Sequence, residues 1–367
     1  MAHGAFPSAF GLRMVFSWQF WRMALLWTGS ILFSHLLMFF SSSTWPSPSP
    51  GAGAGRGGGG SARICVVTGA TSGLGKAAAI QLARHRYHLI LAGRNPELLI
   101  QTVQEIKQLG HNNCLVEPIQ LDLSSFVSIY NFQLSLKQRL SDLGFHHSIQ
   151  LLVNNAGILA NSFRETPDGF DEMMATNYIG TFVLTTLLMP LLNNSPVPSR
   201  VVNVTSFTHR CVFDLDVYEV LYARRKGQNY PCASTYEHSK LCLLLFSYEL
   251  HRRLHLEPTC HVSVMAADPG VVETNIMREL PLFISRFSLL VLRILCLLQP
   301  PEIGVNSIID ASLAPPEASG KYFFGGKFRT IESSSLSGDT ELAEKLWSAS
   351  SAIFKEMESK ANQTISS

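Results

Sequence analysis

Acidic residues are missing from the start of the chain: no Asp or Glu precedes Glu97. Charge is scarce throughout, at 15% of residues, where about 25% is usual for a soluble domain. That deficit points to membrane contact or an unusually large core. The net charge of +2 is too close to zero for nucleic-acid binding as a main task. The seven cysteines form no Cys-x-x-Cys pair and are odd in number. This argues against a disulfide framework or a zinc site and favours a reducing compartment; no metal is expected. No repeat of fixed period is present.

What is there begins with an apolar run. Met23–Phe40 carries no Lys, Arg, Asp or Glu, and its eighteen residues lie near the lower limit for crossing a bilayer. Trp18, Trp21 and Trp27 would suit an interface. Residues 1–40 therefore read as a membrane anchor, with a cleaved signal or an organelle transit segment as alternatives. The expected location is the endoplasmic reticulum membrane with a cytosol-facing domain; a chloroplast or other organelle membrane is the alternative. Arg13 and Arg22 on one side are matched by Arg56 and Arg63 on the other, so orientation stays open. Residues 41–62, rich in Ser, Pro and Gly, read as a flexible spacer with no capacity to form a core.

From residue 63 to about 360 the pattern is that of one domain. Short apolar runs at Arg63–Val67, His88–Ala92, Leu115–Leu121, Ile149–Val153, Arg200–Val204 and His261–Ala266 alternate with helical stretches such as Lys76–Arg86, Asp171–Leu192 and Tyr236–Leu254. The expected fold class is α/β: a Rossmann-type, doubly wound parallel sheet with helices on both faces.

Thr68-Gly69-Ala70-Thr71-Ser72-Gly73-Leu74-Gly75 follows the first strand and opens the first helix. Glycine lets the backbone turn tightly and approach a pyrophosphate closely. The helix N-terminus offers that anion free N–H groups and a positive dipole end. The second strand ends in Leu91-Ala92-Gly93-Arg94. An acid there would suit the ribose 2′-hydroxyl of NAD, whereas Arg94 suits a 2′-phosphate; NADP(H) is the expected cofactor. Asp122, after the third strand, is a candidate acceptor for the adenine amino group. Asn154-Asn155-Ala156-Gly157 ends the fourth strand at the sheet edge where ligands lie, and Asn154, Ala156 and Gly157 are candidate cofactor contacts.

These motifs, with Tyr236-Glu237-His238-Ser239-Lys240 and Pro269-Gly270, are similar in order and spacing to those of the short-chain dehydrogenase/reductase family. The resemblance runs from about Arg63 to Trp347. Ala92-Gly93-Arg94, Asp268-Pro269-Gly270 and Gly320-Lys321-Tyr322-Phe323 resemble the retinol-dehydrogenase-like branch most. The resemblance implies that Tyr236 and Lys240 serve both catalysis and cofactor binding, and that a helix asparagine at Asn177 orders a water linked to the lysine. It also implies that Pro269, Gly270 and Thr274 close over the nicotinamide amide. At the mouth of the fifth strand both Thr205 and Ser206 offer a hydroxyl for the reacting oxygen; the resemblance selects Ser206.

The chemistry is also readable from the residues. Tyr236 and Lys240 are four apart and share a helix face. A free phenol, with a pKa of about 10, is a poor base at neutral pH. A neighbouring ammonium and a positive nicotinamide ring are expected to lower that value, so that Tyr236 can exchange a proton with an alcohol or carbonyl.

Two segments point to the substrate. Residues 207–228 form an insertion carrying Arg224-Arg225-Lys226, either a contact for anionic lipid heads or a solvated turn. Leu280–Leu298 is strongly apolar, with Arg286 and Arg293 as its only charges. It reads as a helix that dips into the membrane interface while the arginines snorkel, or as a buried core or homodimer helix. Either gives an apolar entrance, hence an apolar small-molecule substrate: a retinoid, polyprenoid or sterol type of alcohol or its carbonyl. The competing function is a membrane-bound NADP-binding scaffold or redox sensor. Binding alone would not require the Ser206, Tyr236 and Lys240 trio.

Overall fold

The computed structural model describes residues 18–47, 63–110, 114–144, 147–222, 230–257, 259–274, 276, 279 and 289–366. Seven strands form the parallel body of a sheet. In chain order they are β2 (Arg63–Thr68), β3 (Tyr87–Gly93), β4 (Val116–Gln120), β5 (Leu151–Asn154), β6 (Ser199–Val204), β7 (Val262–Asp268) and β10 (Tyr322–Phe324). Their spatial order is β4-β3-β2-β5-β6-β7-β10. The order reverses between β2 and β5, and there the carboxyl ends of two strands part to open a crevice. The interior strands are near-continuous apolar runs because both faces are covered; every residue of β7 is buried. Only the edge strand β4 alternates in burial, and only there does a body strand tolerate proline, Pro118.

Strand alternation divides the core in two. On one face Ile64, Val66, Leu152 and Val264 pack against helices α4 (Phe126–Asp142), α5 (Gly180–Asn193), α7 (Cys232–His255) and α10 (Thr340–Ser366). On the other, Cys65, Val67, Val153 and Met265 pack against α2 (Gly73–Arg84), α3 (Pro96–Gln108) and α9 (Asn306–Leu313). All six expected strands and the three expected helices occur, with ends shifted by a few residues. A π-helical segment, Ala175–Ile179, precedes α5.

The reading of residues 41–62 as a coreless spacer requires a correction. Ser43–Thr44 form β1, which pairs antiparallel with β11 (Arg329–Thr330); β11 in turn pairs with β10. The Trp45 indole donates to Thr330 Oγ1 at 3.2 Å and its ring packs on the second core. Backbone pairing holds this stretch where composition alone offers nothing. Residues 48–62 of the spacer lie outside the described residues, as do 223–229, with Arg224-Arg225-Lys226, and 280–288, with Arg286.

Helix α1 (Trp18–Phe40) is docked along its length. Ser30, Ile31, Ser34 and Met38 are buried, at the i, i+1, i+4, i+8 spacing of one helix face. Ser30 Oγ donates to Phe207 O at 2.7 Å and Arg210 Nε donates to Ser34 Oγ at 3.1 Å. The other face leaves Trp21, Leu25, Leu32, Phe33, Leu36, Phe39 and Phe40 exposed. Among the described residues, α1 from Trp21 and the Glu172–Asn193 stretch are both long and apolar enough to cross a membrane; the second is mostly buried in the core.

Candidate active site

A cavity of about 270 Å³ runs along the carboxyl edge of the sheet. Its floor is the turn between β2 and α2, where Gly69, Thr71, Ser72, Gly73 and Leu74 line it. Gly69 and Gly73 have φ of +64° and +51°, which side chains rarely adopt. A Cβ on Gly75 would collide with the Gly69 carbonyl and the Asn155 amide, so the first turn of α2 can lie against the loop only as glycine. Ser72, the N-cap of α2, makes no side-chain capping bond. The helix thus presents its free N–H groups to the cavity, as a pyrophosphate would need. Arg94, Ala156, Gly157 and Thr274 also line it. These residues fit a dinucleotide.

Asn155 is a residue that sequence reasoning passed over. Its Nδ2 donates to Thr68 O at 2.9 Å, and the Asn155 and Ala156 amides both donate to Thr68 Oγ1 at 3.0 Å. It locks the glycine turn to the end of β5 and lines the cavity. Strand alternation could have found it: the last strand residue, Asn154, turns inward, and the next one is free to face the cleft. Asn154 itself is buried, donating to Thr185 Oγ1 and Asn203 Oδ1, and it is not on the cavity wall. Asn203, which begins an Asn-Val-Thr sequence, is likewise fully buried. Asp122 is also off the wall. Its Oδ1 accepts from the Ser124 amide and hydroxyl at 2.9 and 2.7 Å, while its neighbours Leu121 and Leu123 face the cavity.

Past Gly157, the cluster expected around Tyr236 assembles. Lys240 Nζ lies 5.7 Å from the centre of the Tyr236 ring and donates to Val204 O at 2.9 Å. Ser206 hydrogen-bonds Tyr236. A Cβ on Gly157 would stand 3.3 Å from Asn177 Oδ1 and 3.5 Å from Lys240 Nζ, so a side chain here would crowd both groups. Asn177 Oδ1 accepts from the Ile158 amide at 2.8 Å, and its Nδ2 donates to Ile158 O and Ser239 Oγ, both at 3.0 Å. Ser239 Oγ donates to Tyr236 O at 2.8 Å. The asparagine therefore pins the loop after β5 to helix α7.

The electrostatics depart from expectation. Burial pushes the Tyr236 phenol well above its usual range, the Asp268 carboxylate adds to this, and the Ser206 hydrogen bond offsets part of it. Burial lowers Lys240 to about 8, against the opposing pull of Asp268. The protein alone thus makes a reluctant phenolate. The expected lowering of the phenol would have to come from a positive ring bound beside it. Asp268, fully buried, accepts from the Gly270 amide at 2.8 Å and from Tyr322 OH at 2.5 Å. It is the group between β7 and the Pro269-Gly270 turn that sequence reasoning treated only as part of a motif.

A glycine-rich strand–turn–helix beside a buried Ser–Tyr–Lys cluster, on a doubly wound parallel sheet, defines a dinucleotide-dependent oxidoreductase. Residues 63–215 match the short chain dehydrogenase family model. The chain is 34% identical to human polyprenol dehydrogenase over 291 residues, covering 78% of this chain and 84% of that protein. It is 32% identical to human retinol dehydrogenase 13 over 294 residues, covering 78% and 83%. Among solved structures, RhlG of Pseudomonas aeruginosa in an NADP active-site complex superposes with a TM-score of 0.55 at 22% identity, covering 72% of this chain and 95% of that one; this likeness bears on the fold. The chain belongs to the short-chain dehydrogenase/reductase family and is an oxidoreductase acting on CH–OH groups.

Proposed function

We propose that this protein is a membrane-attached, NADP(H)-dependent oxidoreductase that interconverts an apolar, lipid-like alcohol and its aldehyde or ketone, with Tyr236 as the acid/base. The observation that carries the reading is the buried Ser206, Tyr236 and Lys240 cluster, whose Lys240 ammonium lies behind Gly157, a residue of the cavity wall. A bound nicotinamide supplies or accepts the hydride. Ser206 holds the reacting oxygen by a hydrogen bond. Tyr236, neutral over the physiological range, donates its proton to that oxygen as a carbonyl is reduced, and takes it back in the reverse reaction. Lys240, with its proton held near pH 8, stabilises the phenolate left behind.

Two observations support the finer choices. Arg94 lines the cavity and touches Glu172 only through an exposed ion pair of 3.4 Å, worth little in water and readily exchanged for a 2′-phosphate. The outward face of α1 is apolar, and residues 289–294 continue it with exposed Leu290 and Ile294. Their neighbours Leu292 and Leu297 pack in the same cluster as Ile31 of α1. Such a contiguous patch fits a lipid surface. Because α1 is bonded to the domain along its length, it would lie in the interface rather than cross the bilayer. Polyprenol and retinol dehydrogenases are named for apolar alcohols, in keeping with a substrate that arrives from lipid.

The test is turnover by the full-length protein in lipid vesicles with NADPH or NADH, against apolar aldehydes and small polar ketones. NADPH-dependent reduction of the apolar substrates is expected. Equal rates on the small polar ketones would remove the lipid-substrate reading.

A further inference from the structure

The N-terminal helix reaches the catalytic tyrosine. Trp27 of α1 lies with its ring 5.8 Å from the Tyr236 ring, tilted by 44°. Its indole Nε1 donates to Glu237 Oε1 at 2.7 Å, and Arg22 Nη2 donates to Glu237 Oε2 at 3.1 Å. The Glu237 side chain is almost wholly buried. A buried carboxylate is costly unless its oxygens are satisfied, and here each of its two oxygens accepts a hydrogen bond from α1. Glu237 follows Tyr236 directly in α7, so the registration of α1 is fixed one residue from the reacting group. Around Tyr236 the apolar wall is Ile158, Leu159 and Ala160 from the loop after β5 and Met173; Trp27, Tyr230 and Ile276 pack onto it. Tyr236 is itself only 7% exposed.

We infer that Trp27 is a substrate-side wall of the active site and sets its selectivity for chain length and bulk, held in place by Glu237. An anchor needs no contact with a catalytic residue; this helix sets a ring against Tyr236 and gives a hydrogen bond and an ion pair to Glu237 next to it. The inference rests on Tyr236 being the acid/base. A substrate that brings its oxygen to Tyr236 comes up against the Trp27 ring, whose neighbours on the outward face of α1 are exposed and apolar.

The experiment uses the full-length protein in lipid vesicles with NADP, comparing kcat and KM for geraniol and for a long-chain polyprenol. Trp27→Ala is expected to shift the ratio of their kcat/KM values by about tenfold or more, through KM, as removal of a pocket wall does. Trp27→Phe, which keeps a ring but not the N–H, should retain most of the wild-type ratio. Leu25→Ala, on the outward face, should leave the ratio unchanged. If Trp27→Ala does not fold, Trp27→Leu is read in its place. An unchanged ratio, or an equal loss for both alcohols, overturns the inference. Tyr236→Phe is measured alongside: if it turns over normally, the acid/base reading fails instead.

Discussion

The cofactor side and the substrate side of this cleft are built by different means. On the cofactor side, backbone does the work: glycines with positive φ, an uncapped helix start, and Asn155 clamping one loop to the next strand end. All of it lies between Thr68 and Gly157. On the substrate side, side chains meet from Trp27, Met173, Tyr230, Tyr236 and Ile276, more than 200 residues apart at the extremes. A site made from local backbone is specified by a short motif. A site made from distant side chains is specified only by the tertiary fold. Four substitutions or conditions would break or sharpen that contrast.

Lys240→Ala should have the largest effect. Removing the cation beside Tyr236 should lower kcat by roughly 10²–10⁴-fold, measured under saturating NADPH, with cofactor affinity changed far less. Comparable losses in both would mean that the cluster serves binding.

Acid should act on the side assembled from distant segments. His209 is fully buried; its Nδ1 lies 2.6 Å from Ser206 O, and the Ser334 amide donates to its Nε2 at 3.1 Å. The neutral ring with its proton on Nδ1 satisfies both. Burial lowers its pKa to about 3. Between pH 6.5 and 3 the unfolded chain binds a proton that the folded chain does not, so stability falls as pH drops through that window, by up to several kcal/mol. Denaturant melts across this range should show it. His209→Gln, which can keep both hydrogen bonds without titrating, should flatten that part of the profile.

Arg94→Glu tests the cofactor side. Charged hydrogen bonds are worth about 1.5–3 kcal/mol, so the preference for NADPH over NADH should fall by roughly 10–100-fold in kcat/KM. An unchanged preference would assign Arg94 to the Glu172 ion pair alone. The smallest effect is expected at the membrane. Leu36→Asp, on the exposed face of α1, should weaken vesicle binding by about tenfold while leaving NADPH binding unchanged.

The same contrast explains what the sequence made legible. Six strands were readable because interior parallel strands are unbroken apolar runs, and the glycine turn because its residues are contiguous. Tyr236 and Lys240 were readable from a four-residue spacing on one helix. Strand β10 was not: Tyr322–Phe324 is three residues long, and its role depends on pairing with β7. Nor was β1, whose Ser43–Thr44 looks like any polar spacer until β11 lies beside it. Asp122 and Asn154 stand at strand ends, as their positions suggest, but the partners of their side chains, Ser124 for one and Thr185 and Asn203 for the other, are not legible from spacing. The raised phenol of Tyr236 was missed because burial and the Asp268 carboxylate, which sequence spacing does not report, both push it up. Helix α1 shows the same limit. Its composition announces lipid, whereas its buried face of Ile31, Ser34 and Met38 is visible only against the domain it covers.

The central claim is that Tyr236 transfers the proton while the rest of the cleft merely positions the reactants. Single-turnover oxidation of bound NADPH by an apolar aldehyde, with NADPH affinity measured on the same sample, tests it most directly. For Tyr236→Phe the account predicts wild-type NADPH affinity and transfer slowed by roughly 10²–10⁴-fold. Transfer at the wild-type rate in that variant would contradict it.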